Sequence, residues 1–176
     1  GDIGVLRRCM REAGGEAYAV PTYASREDIS STRIRKLIAD GEVREAARLL
    51  GRPYLLRGEV VEGDRRGRTI GFPTANVLSD ERALVPARGV YAGYVQVGGE
   101  RYGACTNVGT APTFDRRESK VEAYLLGYEG DLYGKVVDVT FEERLRPEKR
   151  FSGVGELKEQ IARDVAEARR VVGEGV

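Results

Sequence analysis

The sequence predicts a mainly β fold: a small, closed or nearly closed antiparallel barrel of six strands, with a helix after it and a short α/β piece before it. Two observations carry this. From Tyr54 onward, six short runs rich in alternating apolar residues follow one another at close spacing, separated by Gly-rich turns. After the last run, Val154, Leu157, Ile161, Val165, Ala168 and Val172 recur at helical spacing, one apolar stripe suited to pack on a barrel.

The elements follow in chain order. GDIGVLRRCMREAGG carries Val5, Leu6, Cys9 and Met10 at helical spacing before a Gly-Gly stop. EAYAVPTYA reads as a short strand ended by Pro and turn residues. In ISSTRIRKLIADGEVREAARLLGRPY, Ser30, Ser31 and Thr32 offer N-caps, and Ile34, Leu37 and Ile38 form a stripe that stops at Asp40-Gly41. Val43, Ala46, Ala47, Leu49 and Leu50 form a second short helix, stopped by Gly51 and Pro53. So small a helix–strand–helix unit cannot bury a parallel sheet alone. Residues 1–51 are therefore expected to end a larger α/β domain, and residues 52–176 to form the barrel domain. LLRGEVVEG, IGFPTANVL, GVYAGYVQV, RYGACTNVG, KVEAYLLGYEG and GKVVDVTFEERL supply the strands, with a hairpin at Gly98-Gly99-Glu100.

Composition narrows the chemistry. The 176 residues are 41% hydrophobic and 32% charged, with a net charge of +1, so no large basic field awaits nucleic acid. No apolar run approaches a membrane span, and Cys9 and Cys105 make neither a zinc motif nor a disulfide framework. A reducing cytoplasm fits. Histidine is absent, which excludes a His general base, a Ser-His-Asp triad and His metal ligands. A metal held by side chains would then see oxygen, favouring Mg²⁺ or Ca²⁺ over Zn²⁺.

Five stretches could carry chemistry. Gly63 and Gly67 bracket Asp64, Arg65 and Arg66, with Arg68 following, a loop able to approach an anion or simply a solvated basic turn. It is no Walker A loop. In GFPTANV, Pro73 marks an edge, a bulge or a strand start, and Thr74 and Asn76 share one face. A hydroxyl and an amide oxygen suit Mg²⁺ whose shell phosphates complete, and equally suit the outer face of a strand. In SKVEAYLL, Glu122 shares a face with Tyr124 and Leu126, so it is either a general base or one more strand carboxylate facing water. TNVGTAPTF offers Asn107, Thr110 and Thr113 to a ligand, but a turn on Gly109 and Pro112 is the better reading. LRPEKRFSGVGEL places Arg146, Lys149, Arg150 and Phe151 before a helix, as ligand contacts or as solvated cations over a packed ring.

In order and spacing, GRPYLLRGEVVEGDRRGRTIGFPTANV, LVPARGVYAG, TNVGTAPTF, VEAYLL, DLYG, LRPEKRF and the final helix resemble riboflavin kinase from about Arg52 to Val172. ISSTRIRKLIADGEVREAARLLGR resembles the end of the adenylyltransferase domain in prokaryotic bifunctional FAD synthetases. The resemblance implies a Greek-key barrel with a C-terminal helix, and transfer of the ATP γ-phosphate to the 5′-hydroxyl of riboflavin, giving FMN and ADP. It implies that Thr74 and Asn76 hold Mg²⁺ on the nucleotide phosphates, and that Gly63 and Arg68 belong to the loop over ATP. By the same resemblance Glu122 is the base that takes the ribityl proton, Tyr133 lies near the nucleotide, and Arg146, Lys149 and Glu156 lie near the flavin. Residues 1–51 would be the remnant of an FMN adenylyltransferase domain, the partner domain in the parent protein. No histidine-containing nucleotidyltransferase motif is present, so FAD synthesis is expected of that parent and not of this chain. The alternative is a non-catalytic flavin- or nucleotide-binding regulatory barrel, against which Thr74, Asn76 and Glu122 argue together. An oligonucleotide-binding barrel lacks the basic–aromatic interleaving it would need.

Overall fold

The computed structural model describes residues 2–19, 29–63, 67, 70–110 and 119–173. Helix α1 (Ile3–Glu12) starts at Asp2, whose carboxylate accepts the Gly4 amide hydrogen at 3.0 Å. It buries none of its residues, and Ile3, Val5, Leu6 and Met10 stay exposed. The strand expected in EAYAVPTYA does not form over Glu16–Ala19, and the rest of that run lies outside the described residues. A strand needs a neighbour for its backbone groups, and no described strand pairs with this segment.

Helix α2 (Ser31–Asp40) is capped by Ser30, whose hydroxyl accepts the Arg33 amide hydrogen at 3.2 Å. It ends where Gly41 takes a left-handed φ of 84°, and the Gly41 and Glu42 amides close back on Ile38 and Leu37. Helix α3 (Val43–Leu50) buries Val43, Ala46 and Leu49 against the barrel, and Val43 joins the barrel core itself.

The barrel strands are β1 (Tyr54–Val61), β2 (Ala75–Ser79), β3 (Gly89–Val97), β4 (Glu100–Thr110), β5 (Ser119–Leu125) and β6 (Val136–Arg146). They close in the order β1-β2-β5-β4-β3-β6, every pairing antiparallel. Two overlapping Greek keys result, with β5 returning to lie beside β2 and β6 beside β3. Closure leaves no edge strand among the described residues. The β3–β4 hairpin turns on Gly98 and Gly99, both at positive φ, as a two-residue loop requires.

Alternation sends Leu56, Val60, Val77, Val95, Val108, Val121, Val139 and Phe141 into the barrel, with Tyr91 edge-on to Phe141 at 5.3 Å. The second strand begins later than IGFPTANVL suggested. Gly71 turns at φ 87°, the Phe72 amide bonds to the Gly67 carbonyl at 2.9 Å, and Pro73 has no donor to give a ladder. Gly71–Thr74 is therefore the approach to β2, and Thr74 stands at its mouth.

Helix α4 (Val154–Val172) covers the outer face of β3, β4 and β6. Val165, Ala168, Ile161 and Val171 pack there on Val90, Ala92 and Cys105. Val154 is not part of that face. It is 64% exposed, because the helix begins before it reaches the barrel wall. Arg144 of β6 donates to the Arg88 carbonyl at 2.5 Å and to the Asp40 carbonyl at 3.4 Å, tying the end of α2 to the entry of β3.

Candidate active site

One row of side chains runs across the outer face of the barrel. Asn76 of β2 pairs with Glu122 of β5, Glu122 with Asn107 of β4, Asn107 with Val90 of β3, and Val90 with Arg146 of β6. Directly opposed residues on neighbouring strands point to the same side. The closed barrel thus brings together residues far apart in the chain, with Asn76, Glu122 and Asn107 adjacent. The turn reading of Asn107 fails: β4 runs through Gly109 to Thr110, so Asn107 sits in mid-strand. Thr113 and Pro112 lie outside the described residues.

Asn76 is held tightly. A Cβ placed on Gly63 would fall 2.2 Å from its Nδ2 and 2.5 Å from its Oδ1, so the amide occupies the space that only a glycine leaves. Its Oδ1 is buried without a hydrogen-bond partner among the described residues. An orphaned buried acceptor is costly unless something fills it. Nearby, a Cβ on Gly67 would lie 3.2 Å from the Thr74 hydroxyl, so each oxygen sits against a glycine. This donor set fits a hard divalent cation: one neutral hydroxyl and one unpartnered amide oxygen. Arg68 lies outside the described residues.

A cleft of about 830 Å³ opens at this end of the barrel, where β2 begins and β5 ends. Thr74, Asn76, Gly67, Tyr133, Tyr128 and Arg169 are on its wall. Tyr133 is 43% exposed on the loop between β5 and β6, and its amide is fixed by Asp131 Oδ1 at 3.0 Å. Tyr128 and the α4 residue Arg169 were not anticipated from sequence, because only the fold brings the loop and the last helix to the mouth of β2.

Glu122 lies just along the row from the cleft. Its carboxylate is 3.2 Å from the Lys120 ammonium, and its side chain keeps 27% of its surface open. Tyr124, two residues on, meets Phe72 edge-on at 5.5 Å and forms an apolar wall beside it.

At the other end of the row, Arg146 forms an ion pair with Asp164 of α4 at 2.7 Å, and Asp164 is 5% exposed. Lys149 pairs with Glu156 at 2.9 Å. Glu156 also accepts the Ser152 amide hydrogen at 3.0 Å and its hydroxyl at 2.9 Å. These bonds, the Ser152 amide first, hold the Glu156 carboxyl down at about 2. The arrangement resembles a capping box, a carboxylate reaching back over the first turn of α4. Sequence patterning missed Asp164: a carboxylate beside Val165 in an amphipathic helix reads as exposed until its partner strand is known.

A closed barrel with a glycine-cradled amide and hydroxyl, a cleft and a neighbouring carboxylate has the parts that the phosphotransferase class of small-molecule enzymes calls for. A family model described as riboflavin kinase matches residues 50–172. A curated relative, the bifunctional riboflavin kinase/FMN adenylyltransferase of Bacillus subtilis, is 43% identical over 81% of this chain and 46% of its own length. The crystal structure of riboflavin kinase from Trypanosoma brucei superposes with a TM-score of 0.52 at 31% identity, covering 67% of this chain and 78% of that one. A crystal structure of a macrolide-efflux protein from Streptococcus pneumoniae superposes with a TM-score of 0.82 at 41% identity, over 89% of this chain and 52% of that one. The efflux name belongs to that protein alone. The chain belongs to the riboflavin kinase family. It spans about half the length of the curated relatives it matches, 46% and 56% of two of them.

Proposed function

We propose that this chain transfers the γ-phosphate of ATP to the 5′-hydroxyl of riboflavin, giving FMN and ADP. The observation that carries the reading is the adjacency of Asn76, Glu122 and Asn107 in paired register beside the cleft. Phosphoryl transfer asks mainly for positioning, charge neutralisation and a group to orient the nucleophile. Tyr133 and the Gly63–Arg68 loop would bind the nucleotide, with Thr74 and Asn76 at its phosphates. Thr74 and Asn76 would hold Mg²⁺ through the Thr74 hydroxyl and Asn76 Oδ1, and the cation would neutralise phosphate charge there. Glu122 takes the proton of the riboflavin hydroxyl as that oxygen bonds to the γ-phosphorus and the bond to ADP breaks. Lys120, beside the same carboxylate, must share it with the incoming hydroxyl.

Lys149, from the loop before α4, and Glu156, in the first turn of α4, would meet the flavin. The relatives are bifunctional, so the longer protein would also carry FMN adenylyltransferase activity in a domain ahead of the barrel, with residues 1–51 as its C-terminal end. A cytoplasmic setting, where ATP and Mg²⁺ are plentiful, is part of the proposal; no described helix is long and apolar enough to cross a membrane. The test is incubation with riboflavin, ATP and Mg²⁺, with chromatography that separates FMN from FAD. FMN should form only when all three are present. A chain that binds flavin and nucleotide but forms no FMN would instead be a regulatory barrel.

A further inference from the structure

The Arg146 guanidinium is engaged by Asp164 and by its own loop. Its Nε donates to both Asp164 oxygens at 2.9 and 3.1 Å, and its Nη2 donates to Oδ2 at 2.7 Å. Its Nη1 donates to the Pro147 carbonyl at 3.0 Å. Asp164 also accepts Gln160 Nε2 at 2.9 Å, so its buried charge is fully hydrogen-bonded. Arg146 therefore ties the first residue of the 147–153 loop to the body of α4. The other end of the loop is tied by Ser152 and Lys149 to Glu156. Between these ties, Phe151 lies 5.8 Å from the Arg146 guanidinium and 5.4 Å from the Lys149 ammonium. A Cβ on Gly109 would lie 3.2 Å from the Glu148 carboxylate and 3.4 Å from Asn107 Nδ2. The loop is thus pinned over β4, next to the row that carries Glu122.

The two substrates must meet the moving phosphoryl group from opposite sides, because in-line transfer sets donor and acceptor oxygens on opposite faces of it, with Glu122 beside the acceptor. The cleft takes the β2–β5 side. The acceptor is left the β4 side, beneath the loop. We propose that Asp164 is a positioning residue for the flavin half of the site: it holds Arg146 as a brace, and the brace fixes the 147–153 loop that grips riboflavin. The proposal rests on the riboflavin kinase reading. Arg146 then acts on the flavin through the loop's shape and not by direct contact.

The test measures riboflavin binding by quenching of flavin fluorescence, and ADP binding with Mg²⁺ by calorimetry, for the whole chain and for Asp164→Asn. Riboflavin affinity should fall about tenfold, the scale of losing one supporting hydrogen bond behind a binding group, with ADP affinity unchanged. If Asp164→Asn fails to fold, the double variant Arg146→Met/Asp164→Leu replaces the buried pair by an apolar one and keeps the packing. It should fold and show the same selective loss. Wild-type riboflavin affinity in either folded variant overturns the proposal while leaving the kinase reading standing. An equal loss for both ligands also overturns it, since that marks a general structural role. A wild-type chain that binds no riboflavin overturns both.

Discussion

Replacing Gly63 by alanine should disable the nucleotide site by displacing the Asn76 side chain rather than by removing it. The new Cβ would fall 2.2, 2.4 and 2.5 Å from Nδ2, Cγ and Oδ1 of Asn76, well inside van der Waals contact. Relief requires the Asn76 amide to swing out of its slot. Overpacking of this kind costs about 1–3 kcal/mol, which lowers the melting temperature of a chain this size by roughly 2–12 °C. The larger effect is on function. With Asn76 Oδ1 displaced, the Mg²⁺ concentration for half-maximal FMN formation should rise about 10–100-fold, with riboflavin affinity unchanged. A double-mutant cycle tests the route. In Gly63→Ala/Asn76→Ala the clash is gone, so the lost stability should return, and activity should be no lower than in Asn76→Ala alone. An unchanged Mg²⁺ requirement in Gly63→Ala, or full additivity in the double variant, would refute the reasoning.

Other outcomes follow from the same geometry. Glu122→Gln should lower turnover about 10²–10⁴-fold while retaining riboflavin and ADP binding, measured by single-turnover kinetics and calorimetry. Full activity there would remove Glu122 from the mechanism. Burial, with the Asp164 carboxylate beside it, pushes the Cys105 thiol up to about 12, whereas Cys9 is exposed. Brief iodoacetamide treatment of the folded chain at pH 8 should therefore label Cys9 alone by mass spectrometry, and both cysteines after denaturation. The Glu156 carboxyl lies at about 2, below its ordinary 4.5, so its tie to Ser152 and Lys149 is fully present above the ordinary carboxylate range and is lost as pH falls through about 2. Carbon NMR titration should place it there. Ser152→Ala should move it upward, and an unmoved value would break the assignment.

Much of the site was legible in the sequence because its residues sit in local patterns with local physics. Period-two alternation put Glu122 on the face opposite Val121 and Ala123, and put Thr74 and Asn76 on one side of a strand entry. Pro73 marked an edge, a bulge or a strand start, and the strand begins just after it, at Ala75. The paired glycines at 98 and 99 and the Gly41 and Gly51 stops marked turns and helix ends that the backbone then adopts at positive φ. Alternation also separates an inner from an outer face along each strand, but it cannot say which strands will lie side by side.

That last choice belongs to tertiary structure. Closure of the sheet sets β2 against β5 and β5 against β4, and so places Asn76, Glu122 and Asn107 in one row. The same closure lays α4 over the outer face, where Asp164 finds Arg146 and becomes buried, and where Arg169 reaches the cleft. The sequence by itself determined which residues point together along each element, because side-chain direction repeats with the backbone. Only the folded barrel decided which elements meet, because that depends on burying all the apolar faces at once.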